Sequence, residues 1–250
     1  MPLIETESLV LKTYNLADAD KIVVVLTRDH GVIRGVAKGA KRLKSKFGSG
    51  LELFSIVQLT YFQKDAVELV SIQKAELIRS YFSVASHPEF LQKFSYLSDL
   101  LVTFSPPHDP NETLFRMALS CLDAAKDYAT SFASIGVYFE LWILRLAGYL
   151  PDWSKCDTCG RTFSDADESR MDSNFHMICV SCGRPNDSQR LARGQRLLFD
   201  AARRLSPADF AQVVSTRQDD IKELSTTLKR IISRSVGREV TGETSLTIGT

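Results

Sequence analysis

Lys21-Ile22-Val23-Val24-Val25-Leu26-Thr27-Arg28-Asp29-His30-Gly31-Val32-Ile33-Arg34-Gly35-Val36-Ala37 is the stretch on which the fold turns. The β-branched run of Ile22 to Val25, closed by Leu26, is stiff at χ1 and favours extended backbone. His30-Gly31 supplies a turn, and Val32 to Ala37 resumes as a second strand. Outward from this pair, Ser8 to Tyr14 precedes it with Leu9-Val10-Leu11. Leu51 to Phe62 and Ala66 to Ile78 follow it. Five short strands with glycine-rich turns in the first eighty residues predict a small closed barrel.

After Tyr81 the apolar period changes from two to about 3.6. Phe90, Phe94, Leu97, Leu101 and Phe104 mark one helical face that ends at Pro106-Pro107. Asp109-Pro110-Asn111-Glu112 reads as a helix start with Asp109 as cap, Pro110 at the first helical position and Glu112 at the third. Phe132 to Ala147 is apolar nearly all round, so a buried helix is expected there, stopped by Gly148 and Pro151. Two or three further helices are expected from Gln195 to Arg238, with a frayed tail from Thr241. The class is α+β: residues 1–80 form the barrel, 81–155 and 184–250 a helical domain, and 156–183 an insertion.

That insertion carries four of the five cysteines as two Cys-x-x-Cys pairs, Cys156–Cys159 and Cys179–Cys182, separated by nineteen residues. Each pair closes a knuckle that aims two thiolates at one ion, and the spacer accommodates a hairpin that folds one knuckle onto the other. This is the spacing of a structural four-cysteine zinc site. Gly160 and Gly183 follow the second cysteine of each pair, where a positive-φ turn lets backbone N–H groups reach the sulfurs. A redox dithiol pair is the competing reading. A disulfide framework is disfavoured by the odd cysteine count and by the absence of a recognisable signal peptide. Cys121, among Leu119, Leu122 and Ala125, reads as a small buried hydrophobe. His176 could substitute as a ligand, but two matched pairs make it unnecessary, and it reads as a surface residue of the hairpin.

Lysine and arginine number 31 against 30 acidic residues, so net charge is +1 and only its distribution is informative. Between Arg34 and Lys46 stand six cations (Arg34, Lys38, Lys41, Arg42, Lys44, Lys46) and no acid. Clustered charge repels itself, and a phosphate backbone would relieve it. Flexible glycines at 39, 48 and 50 let such side chains follow a strand, with Phe47, Tyr61 and Phe62 as candidates for base stacking. A solvated loop is the plain alternative, as is core packing for the aromatics. Acids gather instead at Asp165, Asp167 and Glu168. The arginines after the insertion (Arg190, Arg193, Arg196, Arg203, Arg204, then Lys229, Arg230, Arg234, Arg238) are weaker candidates for a second DNA surface. No P-loop or Rossmann glycine pattern is present. His30, His87 and His108 sit at predicted turns or before prolines. No stretch has the length of a membrane span, and free thiols in metal-ligand spacing suit a reducing cytoplasm.

The chain resembles the bacterial RecO family of recombination mediators. The resemblance rests on Val10-Leu11-Lys12-Thr13, Asp20-Lys21-Ile22-Val23, Leu26-Thr27-Arg28-Asp29-His30-Gly31, Val36-Ala37-Lys38-Gly39-Ala40-Lys41-Arg42, Leu51-Glu52-Leu53-Phe54 and Lys74-Ala75-Glu76-Leu77. Leu146-Ala147-Gly148-Tyr149-Leu150-Pro151, leading into Cys156, continues it. Two departures stand out: Leu53 replaces a usual proline, and the tail after Gly237-Arg238 lacks a Lys-Ser-Arg element. The resemblance implies an OB-fold, a helical body and an inserted zinc ribbon. It further implies binding of single- and double-stranded DNA, strand annealing, and work with RecR to load RecA onto DNA covered by single-strand-binding protein, at the nucleoid.

No catalytic residue is expected, because annealing needs cations between two phosphate backbones rather than an acid or base. The alternative function is a protein–protein adaptor for RecR or the single-strand-binding protein, with incidental DNA affinity; Arg145 would then be a candidate at the rim of a docking groove. A zinc-dependent nucleic-acid enzyme is disfavoured, since four thiolates close the metal site and no His-x-Glu partner exists.

Overall fold

The computed structural model describes residues 3–63, 68–127, 131–164, 166–184 and 188–240. Five strands form the N-terminal barrel: β1 (Leu3–Leu16), β2 (Asp20–Thr27), β3 (Gly31–Ala37), β4 (Ile56–Phe62) and β5 (Leu69–Arg79). Their order, β1-β2-β3-β5-β4, closes through β1 pairing with β4, and only the β3–β5 contact is parallel. This is the OB-fold arrangement. Alternation sends Val10, Val23, Val25, Ile33, Val57, Leu59, Tyr61, Val70 and Ile72 inward as one core. A bulge between Val10 and Lys12 resets that alternation and turns Leu11 to the other side, where it is also buried.

The fourth strand is shorter than expected. Residues 51–54 are turns and a bend, although Leu51 and Phe54 are buried as strand residues would be. Phe54 takes a positive φ of 61°, a rare backbone for an aromatic, and is held there edge-on to the ring of Phe90 at 5.4 Å. Of the expected fifth strand, Ala66 and Val67 lie outside the described residues, as does the tail from Thr241.

The chain divides into two compact units, Met1–Ala129 with Val240, and Thr130–Glu239. In the first, α1 (Phe82–Ala85), α2 (Pro88–Phe104) and α3 (Glu112–Asp127) pack with the barrel. Phe90 and Phe94 stack at 4.2 Å beside Phe54, and Lys12 of β1 pairs with the buried Asp99 of α2. α3 begins two residues later than the Pro110 motif suggests. Its cap is Asn111, whose side chain accepts from the N–H of Leu114 at 2.9 Å. Asp109 is occupied elsewhere: its N–H donates to Pro106, and its backbone lies so close to Gly31 that a Cβ there would meet the Asp109 carbonyl oxygen at 2.4 Å. Gly31 therefore needs both its φ of +65° and its missing side chain.

In the second unit, α4 (Phe132–Leu146) is buried on nearly every side and ends at Gly148, which has φ +77°. A three-stranded sheet follows, ordered β7-β6-β8 from β6 (Ser169–Asp172), β7 (Met177–Cys179) and β8 (Ser188–Leu191). Then come α5 (Arg193–Arg204), α6 (Pro207–Val213) and α7 (Gln218–Val236), three helices in the expected span. Among the described residues no helix is long and apolar enough to cross a membrane.

Candidate nucleic-acid interface and metal centre

The segment between β3 and β4 is a chain of consecutive tight turns. N–H groups donate three residues back at Arg42 (to Gly39, 3.1 Å), Ser45 (to Arg42, 2.9 Å), Gly50 (to Phe47, 2.9 Å) and Glu52 (to Ser49, 3.2 Å). Gly39 and Gly48 supply the positive φ angles that such a path requires. The chain of turns is fastened at both ends. Near its start the N–H of Gly39 donates to Asp20 at 2.7 Å and that of Lys41 to the Ala19 carbonyl at 2.9 Å. Near its end Phe47 and Leu51 plug the barrel core.

The outcome is a ridge of cations carried on a hydrogen-bonded backbone. Lys38, Lys41, Arg42, Lys44 and Lys46 are exposed. Lys41 also donates to the Ala17 carbonyl at 3.3 Å, and Lys46 lies over the Phe47 ring. Arg34 differs from the other five: it belongs to β3, is half-buried, and faces Glu68 at 3.6 Å. Beside it, burial raises the Tyr14 phenol pKa while the Arg34 guanidinium opposes the rise. The sequence around these cations contains no acid, yet the fold brings Asp20 and Glu68 to the segment from outside it.

The aromatic candidates fare differently. Tyr61 is 1% exposed and Phe47 3%, both within the barrel core, so neither can stack on a base. The alternation that makes Phe62 half-buried sends Tyr61 inward, and Phe47 is drawn in because the turns need an apolar anchor. Leu43, which no pattern in the sequence singles out, stands fully exposed between Arg42 and Lys44.

The four cysteines of the ribbon converge. Their sulfurs all lie within 4.8 Å of one another, and Cys159 and Cys179 are 3.9 Å apart. A tetrahedron of metal–sulfur bonds near 2.3 Å has edges of roughly 3.8 Å, so the four thiolates could hold a metal ion. The two knuckles are tied together by backbone: Asp157 N–H donates to the Met177 carbonyl at 2.7 Å, and Met177 N–H to the Asp157 carboxylate at 2.8 Å. The N–H of Cys179 donates to the Cys156 sulfur at 3.3 Å. Burial alone would push the Cys156 thiol up, but N–H groups of Cys179, Cys159 and Thr158 bring it down to about 6. Cys182 moves the other way, to about 12, because its bonds to Cys179 and Cys159 favour the protonated form. Four sulfurs this close ionise together only with a cation among them.

Gly160 has the expected positive φ of 73°, whereas Gly183 does not; a side chain at Gly183 would press on Arg170 at 3.2 Å and on the Cys179 carbonyl at 3.3 Å. Crowding, not φ, selects that glycine. His176 is exposed and bonded to Asp172 on the β6–β7 turn, outside the sulfur cluster. Several of the arginines after the insertion work inside this unit. Arg234 donates to the Ser173 carbonyl and to Asn174 of the same turn, Arg230 to Gln189, and Arg196 to the Ser164 carbonyl while packing on Phe163. Arg190 pairs with Glu168, and Arg161 with Asp167; Asp165 lies outside the described residues.

Comparison with known proteins agrees with this architecture. Residues 1–81 match the family model for the Recombination protein O N terminal domain, and residues 94–242 match the one for the C-terminal domain. A DNA repair protein RecO of Koribacter versatilis is 29% identical over 247 residues, covering 97% of both chains. The protein of the same name from Rhodopirellula baltica is 31% identical across 80% of this chain and 73% of its own. That of Bifidobacterium adolescentis is 34% identical across 66% and 68%.

Proposed function

The chain belongs to the RecO family of DNA repair proteins, and from that premise we propose that it is a non-enzymatic DNA-binding mediator of recombination, acting through the cation ridge between β3 and β4. Five exposed cations on an OB barrel carry this reading. A ridge of cations grips phosphates without reading sequence, so it accepts single strands and duplex alike. It lowers the repulsion between two backbones brought side by side. Because Phe47 and Tyr61 are committed to the core, neither ring covers the bases of a held strand, whose pairing edges stay free. Strand annealing follows from those two properties, with no acid, base or nucleotide required.

Within the cell this activity serves, with RecR, to load RecA onto DNA covered by single-strand-binding protein, in the bacterial cytoplasm. The metal is zinc. Cys156, Cys159, Cys179 and Cys182 would hold it with four thiolates and no open position, so its chemistry is structural.

The test is a salt titration of DNA affinity with the Lys41→Ala/Arg42→Ala/Lys44→Ala variant. Each phosphate contact on a single strand contributes roughly 0.7 to the slope of log affinity against log salt, so the triple change should flatten it by about two. Annealing should fall in parallel, for every DNA sequence alike. A variant with the wild-type slope and normal annealing would leave the ridge a solvated loop.

A further inference from the structure

Leu43 is the one apolar side chain exposed within the ridge, between two of its cations. Its exposure, 103% of that of a free residue, means that its side chain touches nothing else in the chain. It stands at the tip of the turn closed by the Ser45 N–H on the Arg42 carbonyl, one of that turn's two central residues. Immediately on either side are Arg42 and Lys44, both exposed, and the turn is braced by its neighbours and by the Phe47 anchor. An apolar side chain exposed to water between two cations is unfavourable for the free protein. It becomes favourable when a ligand presents negative charge at the flanks and an apolar surface between them.

A nucleic-acid strand presents that pattern: phosphates outside, base faces within. The long side chains of Arg42 and Lys44 leave the same tight turn on either side of Leu43, so they can reach the phosphates that flank one base step. Leucine is among the residues that proteins insert between bases in this way.

We propose that Leu43 is a wedge that enters between neighbouring bases of DNA whose phosphates Arg42 and Lys44 hold. The inference rests on the DNA-binding reading of the ridge given above and adds to it a local opening of the stack. That opening would make paired or self-stacked strands easier to exchange during annealing.

The experiment uses the full chain and a short duplex carrying 2-aminopurine at its centre, a base whose fluorescence rises when it unstacks. Wild-type protein should brighten the probe at saturation. Leu43→Ser should keep the salt slope, because no phosphate contact is lost, yet bind about tenfold more weakly from the lost apolar burial and fail to brighten the probe. Leu43→Phe should restore brightening. Full exposure of the side chain predicts unchanged melting temperatures for both variants, so misfolding cannot produce the pattern. If wild type leaves the probe dark, or Leu43→Ser brightens it equally, the wedge is overturned while the ridge stands; the leucine would then face a protein partner. If the triple cation variant keeps wild-type affinity and slope, the DNA reading itself fails and the wedge with it.

Discussion

Asp123 joins the last barrel strand to α3 through two neighbours, and its replacement by alanine separates a buried bond from an exposed one. Tyr81, 0% exposed, donates its hydroxyl to the carboxylate at 2.5 Å. Arg79, at the end of β5, donates to both carboxylate oxygens at 2.7 and 2.9 Å. The arginine and the aspartate are about half exposed, so their ion pair contributes only about 0.5 kcal/mol. The tyrosine hydroxyl is different, because removing its acceptor strands a buried donor, which costs about 1–3 kcal/mol. Asp123→Ala should therefore destabilise the first unit by about 1.5–3.5 kcal/mol, a fall in melting temperature of roughly 6–14 °C at about 4 °C per kcal/mol for a body of this size. Tyr81→Phe removes the donor and leaves a carboxylate that water and Arg79 can still satisfy, so about 1–1.5 kcal/mol is expected. The double variant should be no worse than Asp123→Ala alone, giving a coupling energy of about 1–1.5 kcal/mol in a double-mutant cycle. Chemical denaturation of the four proteins measures this directly. Additive effects, or Tyr81→Phe costing more than Asp123→Ala, would refute the clamp and leave ring packing as the whole contribution of Tyr81.

The remaining predictions concern metal and pH. Purified protein should contain one zinc per chain by elemental analysis, and Cys179→Ser should lose it, melting the β6–β7 hairpin while the barrel unfolds at its usual temperature; absence of stoichiometric metal, or a Cys156–Cys159 disulfide, would contradict the site. Stability should decline above about pH 10, because burial and the Asp123 bond hold the Tyr81 phenol above its ordinary 10.0, so the unfolded chain loses that proton first. The buried Cys121 thiol, also raised by burial, adds to the decline from about pH 9. Tyr81→Phe should make the alkaline slope shallower by up to ~1.4 kcal/mol per pH unit, and an unchanged slope would count against the assignment.

Elements whose signal is local could be read along the chain. A β-branched run beside a glycine turn can only be extended, and Phe132 to Ala147 could be nothing but a buried helix. Two Cys-x-x-Cys pairs with glycines behind them specify four converging thiolates, because short knuckles leave the sulfurs little freedom. The positions of the six cations were equally legible. What they face was not, since it depends on chain segments far away in sequence. Asp20 and Glu68 reach the basic segment only because β2 and β5 flank β3 in the closed barrel. The same holds for Phe47, an apparent stacking platform beside Lys46 that the turns draw into the core, and for Leu43, which they leave in water. Asn111 rather than Asp109 caps α3, and the backbone of Asp109 lies instead against Gly31, nearly eighty residues earlier. Arg230 and Arg234 read as free helix charge until the ribbon folds back onto α7. Local propensity and ligand spacing act within a few residues and can be read along the chain. Burial and charge pairing are set by which surfaces meet, and that depends on segments far apart in sequence.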